Sequence, residues 1–172
     1  MGILYRLLNK TRRVNFDKEN DSEFAFFNGH FQNFLNLQHL MLTTGKDVVE
    51  FDDDQQKLRY LYFILGAADR LSRGMQDQHK AHVWWGGVGI AQGTVLFNDH
   101  KKAFAELKRY GDASNAELYN AGQKGWEALG IYYQAMSKDK TPEDDRQFQH
   151  SGLLLTKVVR GYPEESLDAS SK

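Results

Sequence analysis

The sequence predicts an all-α fold, a single-domain bundle of about six or seven helices around a central glycine- and tryptophan-rich apolar helix at 79–97. Apolar residues recur at spacings of three and four along most of the chain, the period of one helix face. Only two prolines interrupt 172 residues, and strand-like alternation is nearly absent. We expect residues 1–162 to form the domain and 163–172 a flexible polar tail.

The first segments predict a docking helix followed by a long one. Residues 2–13 form a short amphipathic pattern that we expect to pack on the domain. Because its polar side is basic, the alternative is a helix that lies on a membrane surface. After a polar connector at 16–22, a helix at about 23–43 has a phenylalanine-rich apolar face.

A second long helix is predicted at about 54–74, with a leucine-rich buried stripe. The aspartates at 52–54 stand at its start, where negative charge suits the helix dipole. Asp69 and Arg73 are four positions apart, so we expect them to pair on the exposed side of this helix.

The segment at 79–97 is uncharged beyond its first turn and apolar nearly all round, which is typical of a helix inside a bundle. Gly86, Gly89 and Gly93 share one face. Each glycine costs about 1 kcal/mol of helix propensity, so we expect a neighbouring backbone to approach closely in compensation. The glycine-bearing seam of the helix at 113–138 is the predicted neighbour.

The same glycines also fit a rival interpretation, a nucleotide-binding loop at 87–93 that follows a strand at 83–85. That motif requires a second strand that ends in an acidic residue about 20 residues later. Asp112 lies at about that distance, but the intervening residues have a helical pattern, which favours the helix. Asn98 or Asp99 is predicted to begin the next helix, and a last helix is predicted at about 142–160.

Composition excludes several functional classes. The net charge of −1, with interspersed signs, argues against a nucleic-acid partner, and no apolar run is long enough for a membrane span. The absence of cysteine removes disulfides, thiolate metal sites and cysteine nucleophiles, and it fits a cytoplasmic protein. No catalytic motif is present, so we expect no cofactor and favour a protein that is not an enzyme.

These observations favour a non-catalytic protein-binding module, of adaptor, regulator, inhibitor or toxin-neutralising type, whose partner is another protein; homo-oligomerisation stays open. The candidate binding residues are Trp84, Trp85, Tyr132 and Tyr133, because tryptophan and tyrosine are enriched at binding hot spots. Adjacent residues on a helix point about 100° apart, so one tryptophan can lie in the core while the other lies at a groove or interface. Packing in the core is the default for either of them.

The alternative is a metal- or small-ligand-binding bundle, an enzyme included, centred on Asp77, His79 and His82. Histidines three positions apart share a helix face, and a nearby carboxylate can complete a ligand set. Trp84 or Trp85 would then form the pocket wall. However, the chain contains no Glu-x-x-His pair of the di-iron bundle type.

Overall fold

The computed structural model describes residues 18–43, 49–137 and 141–162. The predictions for residues 2–13 and for the tail at 163–172 lie outside this part of the chain. The described residues contain helices and connections but no strand, which confirms the all-α bundle. The helices are α1 Lys18–Thr43, α2 Asp54–Ser72, α3 Gln78–Phe97, α4 His100–Arg109, α5 Ala116–Ala135, α6 Pro142–Gly152 and α7 Leu154–Arg160.

Three consecutive helices begin at an aspartate. Asp53 precedes α2, Asp77 precedes α3 and Asp99 precedes α4. The Asp53 carboxylate accepts a hydrogen bond from one backbone N–H group of the first turn, and those of Asp77 and Asp99 accept from two each. These N–H groups have no partner within the helix. These local signals explain why the predicted starts of α2, α3 and α4 agree closely with the structure.

The centre of the bundle is α2, and the central position predicted for 79–97 is not confirmed. Every residue from 60 to 68 is buried, and α2 packs against α1, α3, α5 and α7. The charges of α2 stand near its two ends, so this uncharged middle can be enclosed on all sides. In contrast, α3 lies beside α2 and leaves Val83 and Val95 exposed.

The predicted close packing of 79–97 on the glycine seam of 113–138 is wrong. The seam belongs to α5, and it packs on α2 instead. A Cβ added at Gly66 would overlap the carbonyl oxygen of Gly122, and one at Gly125 would overlap the carbonyl oxygen of Phe63. Glycine is therefore required where the backbones of α2 and α5 touch.

The glycines of α3 accommodate α4 and α2. A Cβ on Gly93 would lie 2.8 Å from the Cβ of Ala103, and one on Gly89 would lie 2.7 Å from a methyl group of Leu107 and of Leu65. The expected close approach of a neighbouring backbone is met at Gly93, where the added Cβ would lie 3.1 Å from the Cα of Ala103, but this neighbour belongs to α4 and not to α5. At Gly89 only leucine side chains approach.

Two helix boundaries also differ from prediction. The helix α1 already includes residues 18–22, which the sequence suggested as a connector. The single helix predicted at 142–160 is broken at Leu153 into α6 and α7. Near the break, the buried Gln38 of α1 donates to the carbonyl of Ser151 at 3.1 Å, and glycine at 152 weakens the helix further.

Candidate functional site

A cleft of about 390 Å³ opens between α2, α3 and α5, beside the turn that follows α4. Its volume lies within the range of about 300–1,000 Å³ that is usual for ligand sites. Three tyrosines and a tryptophan line the cleft, and one ion pair stands among them. The residues that define this aromatic cleft are Tyr62, Asp69, Arg73, Trp85, Tyr110 and Tyr119.

Three rings form a continuous wall of the aromatic cleft. The indole N–H of Trp85 donates to the backbone carbonyl of Leu65 at 3.1 Å, which fixes the indole against α2. The ring centroid of Tyr110 lies 5.4 Å from that of Trp85 and 6.0 Å from that of Tyr62. Such separations are typical of favourable aromatic contacts, so the wall is ordered before any ligand arrives.

Glycines shape the end of the cleft at which Tyr110 stands. Gly111 has a φ of +88°, a left-handed conformation that favours glycine and turns the chain after α4. A Cβ on Gly122 would lie 3.2 Å from the ring of Tyr110, so glycine gives this ring room against α5. Tyr119, near the start of α5, is 42% exposed and forms the outer rim.

The ion pair of the aromatic cleft confirms the expected pairing of Asp69 with Arg73. The Nη2 of Arg73 lies 3.2 Å from the Oδ2 of Asp69. The Asp69 side chain is 26% exposed and that of Arg73 is 66% exposed, so the carboxylate is the inner partner. The guanidinium also lies 4.6 Å from the ring centroid of Trp126, which holds it at the rim.

Burial and neighbouring carboxylates raise the pKa of the two inner tyrosine hydroxyls. Burial raises the pKa of Tyr110, Asp69 raises it further, and Arg73 opposes this with a smaller effect. Burial and the carboxylate of Glu106 raise the pKa of Tyr62 to about 12. The Tyr62 hydroxyl donates to Oε2 of Glu106 at 3.3 Å.

The structure does not bring the four predicted binding residues together. Trp85 lies in the aromatic cleft, whereas Trp84 is 2% exposed. The other three lie near α1: Trp84 packs edge-on against Phe31, Tyr132 is buried against the same helix, and Tyr133 packs near His30. The two adjacent tryptophans thus divide between the core and a groove, as the helix geometry allows.

The three predicted metal ligands serve different roles. The Asp77 carboxylate caps α3, and its hydrogen bond from the Lys80 backbone lowers its pKa. His79 is exposed, while His82 stands at the cleft with its ring centroid 6.5 Å from that of Trp85. Within the described ranges, no three histidine or carboxylate side chains are grouped so that they would hold a metal ion.

Sequence reasoning missed the roles of Tyr110 and Tyr119. The available signal was their position on either side of the break at 111–115, where a turn brings both rings to the same face. Neither belongs to a buried stripe, since Tyr119 is exposed and Tyr110 only partly buried.

A second cleft, of about 510 Å³, lies between α5 and α7. Most of its charged groups form ion pairs with one another. Arg59 pairs with Glu117, and the Nζ of Lys124 lies 3.0 Å from the Oε2 of Glu127. Tyr162 is the one aromatic residue that lines it. The aromatic cleft is therefore the stronger candidate.

Comparison of the chain with protein-family models, with curated proteins and with solved structures finds no match. Among the described helices, none combines the length and the apolarity needed to cross a membrane.

Proposed function

We propose that the protein is a non-catalytic protein-binding module whose aromatic cleft receives an exposed segment of a partner protein. The observation that carries this proposal is the aromatic composition of the cleft and its rim, where Trp85, Tyr110 and Tyr119 stand together and Trp126 lies beside the rim residue Arg73. Tryptophan and tyrosine are among the residues that dominate binding hot spots.

The order of the cleft supports the proposal. The hydrogen bond to Leu65 fixes Trp85, and Arg73 is held between Asp69 and Trp126. Side chains that are already fixed lose little conformational entropy when a partner binds. The exposed face of Tyr119 adds contact area at the entrance.

The polar groups of the cleft favour binding over catalysis. The Ser72 hydroxyl donates to the backbone carbonyl of Asp69 at 2.8 Å, and the Asp69 carboxylate is paired with Arg73. A nucleophilic serine needs an adjacent base to take its proton, whereas the Ser72 hydroxyl donates to a backbone carbonyl. Adaptor, regulatory, inhibitory and toxin-neutralising roles are all consistent with this chemistry. The cysteine-free composition supports a cytoplasmic location.

A peptide display library panned against the purified protein tests the proposal. The selected peptides are then measured against Tyr119→Ser and against Tyr162→Ser, a matched change at an exposed tyrosine of the second cleft. We expect Tyr119→Ser to weaken binding about fivefold or more, the effect of losing one hot-spot contact, and Tyr162→Ser to leave it unchanged. The opposite pattern would place the binding surface elsewhere.

The alternative is a small-ligand-binding bundle that uses the same cleft, and the cleft volume favours it as second candidate. A library that yields no peptide, together with small organic compounds that raise the thermal midpoint of the wild type but not of Trp85→Phe, would support this alternative against the proposal.

A further inference from the structure

We infer that the aromatic cleft selects a basic segment and takes a lysine or arginine side chain of the partner as its anchor. This inference rests on the proposed function and specifies the chemistry of the partner. The geometry behind it is an aromatic wall formed by Trp85 and Tyr110, with Tyr119 at the rim and the Asp69 carboxylate on the inner side of its ion pair.

The faces of aromatic rings attract cations. An ammonium or guanidinium group within about 6 Å of a ring centroid gains from the negative face of the ring, and tryptophan gives the strongest attraction. The rim already makes one such contact, because the guanidinium of Arg73 lies 4.6 Å from the ring centroid of Trp126. A second cation that enters the cleft meets the rings of Trp85, Tyr110 and Tyr119.

The charge balance of the cleft selects the sign of the ligand. The Asp69 carboxylate lies on the inner side of its ion pair, with its side chain 26% exposed against 66% for Arg73 at the rim, and the Tyr62 hydroxyl donates to Oε2 of Glu106 at 3.3 Å. The inner end of the cleft is therefore bordered by carboxylates. An entering carboxylate would therefore be repelled and an entering cation attracted, as complementary potentials require.

Asp69 has capacity for a second cation. An ionised carboxylate offers about four acceptor positions, and Arg73 uses two of them through contacts of 3.2 and 3.4 Å. Ion pairs as exposed as this one are weak, so the partner's cation can share or replace the contact at little cost. Arg73 then remains on Trp126.

Four matched peptides, acetylated and amidated, test the inference: they differ only in a central arginine, lysine, glutamine or glutamate. Affinities are measured by calorimetry for the wild type, Asp69→Asn and Arg73→Gln, with circular dichroism to confirm that each variant is folded. We expect the arginine and lysine peptides to bind about tenfold tighter than the glutamine peptide and the glutamate peptide to bind weakest.

The two variants should change affinity in opposite directions. Asp69→Asn should lower the affinity for the basic peptides about fivefold, because it removes the carboxylate and keeps its shape. Arg73→Gln should raise that affinity about twofold to fivefold, because it removes a competing cation. Loss of basic-peptide binding in Arg73→Gln, or tighter binding of the glutamate peptide by the wild type, would overturn the inference.

This test separates the inference from the proposed function. Display-selected peptides that depend on Tyr119 but show no basic preference would overturn the inference and leave the proposed function standing. Methylguanidine and butylamine serve as free-cation probes, and we expect them to bind at least tenfold more weakly than the peptides. If the free cations bind as tightly as the peptides, the proposal of a partner protein is overturned, whereas the preference of the cleft for cations is supported.

Discussion

Replacing Gly66 by alanine tests the contact between α2 and α5 that organises the bundle. The added Cβ would overlap the carbonyl oxygen of Gly122 and lie 2.7 Å from its carbonyl carbon. Carbon atoms in van der Waals contact sit about 3.5–4.0 Å apart, so the helices must separate by roughly 1 Å. The obstructing atoms belong to backbone, so no change of rotamer relieves the overlap.

The expected loss of stability follows from two opposing contributions. Overpacking costs about 1–3 kcal/mol, and a rigid helix contact belongs at the upper end of that range. Alanine gains about 1 kcal/mol over glycine in helix propensity, which offsets part of the cost. We therefore expect Gly66→Ala to lower the free energy of unfolding by about 2 kcal/mol and the thermal midpoint by about 4–8 °C.

Urea unfolding followed by circular dichroism measures this loss, and Gly87→Ala is the matched control. Gly87 also lies within a helix, but a Cβ there would have no neighbour within 4 Å. Without a steric cost, this variant should gain up to about 1 kcal/mol from helix propensity. A Gly66→Ala protein as stable as the wild type would refute the proposed backbone contact between α2 and α5.

Two further predictions concern pH and helix capping. Burial raises the pKa of Tyr62 and of Tyr133 from 10 to about 12, so folding favours their protonated forms. Their contribution to stability should be complete below pH 10 and be lost as the pH rises toward 12. Between pH 10 and pH 12, the free energy of unfolding measured with urea should fall less in Tyr62→Phe than in the wild type. An equal fall in both proteins would contradict the assignment of this effect to Tyr62. Asp99→Ala should cost about 1 kcal/mol, because its carboxylate accepts from the backbone N–H groups of Lys101 and Lys102, whereas Asp99→Asn should retain most of the stability. Equal destabilisation by the two substitutions in the same assay would argue against capping.

Local signals in the sequence were sufficient to predict the position of most helices. Asp53 and Asp99 cap the helices that follow them, and a capping side chain acts within its own turn. The apolar periodicity of α1 likewise predicted its buried phenylalanines, Phe31 and Phe34. Capping and apolar periodicity depend on residues that are close together in the chain, so both can be recognised in a single sequence.

Helix pairing could not be deduced in the same way. Several helices present apolar faces with glycine, and periodicity does not state which two of them meet. The residue that indicates the pairing of α2 with α5 is Gly66, which stands in the uncharged run at 60–68 and faces Gly122. Lack of charge did not distinguish α2 from α3 as the central helix, because residues 81–97 form an even longer uncharged run than residues 60–68.

The aromatic cleft was even less accessible from sequence, because several separate elements build it. Trp85 was recognised as a candidate, but its neighbours come from the turn after α4 and from the start of α5. The Asp69–Arg73 pair was expected from its helical spacing, yet nothing in that spacing indicated an aromatic wall beside it. These residues come together only when the helices pack.

The central claim, that binding occurs at the aromatic cleft, is tested most directly by the indole N–H signals of the three tryptophans in a ¹⁵N-labelled protein. Assigned by Trp85→Phe and Trp84→Phe, they are followed during titration with the arginine peptide. We expect the Trp85 signal to shift with saturation and the Trp84 signal to stay in place, because Trp84 is 2% exposed and packs against Phe31. Saturable binding that leaves the Trp85 signal unmoved would contradict the account.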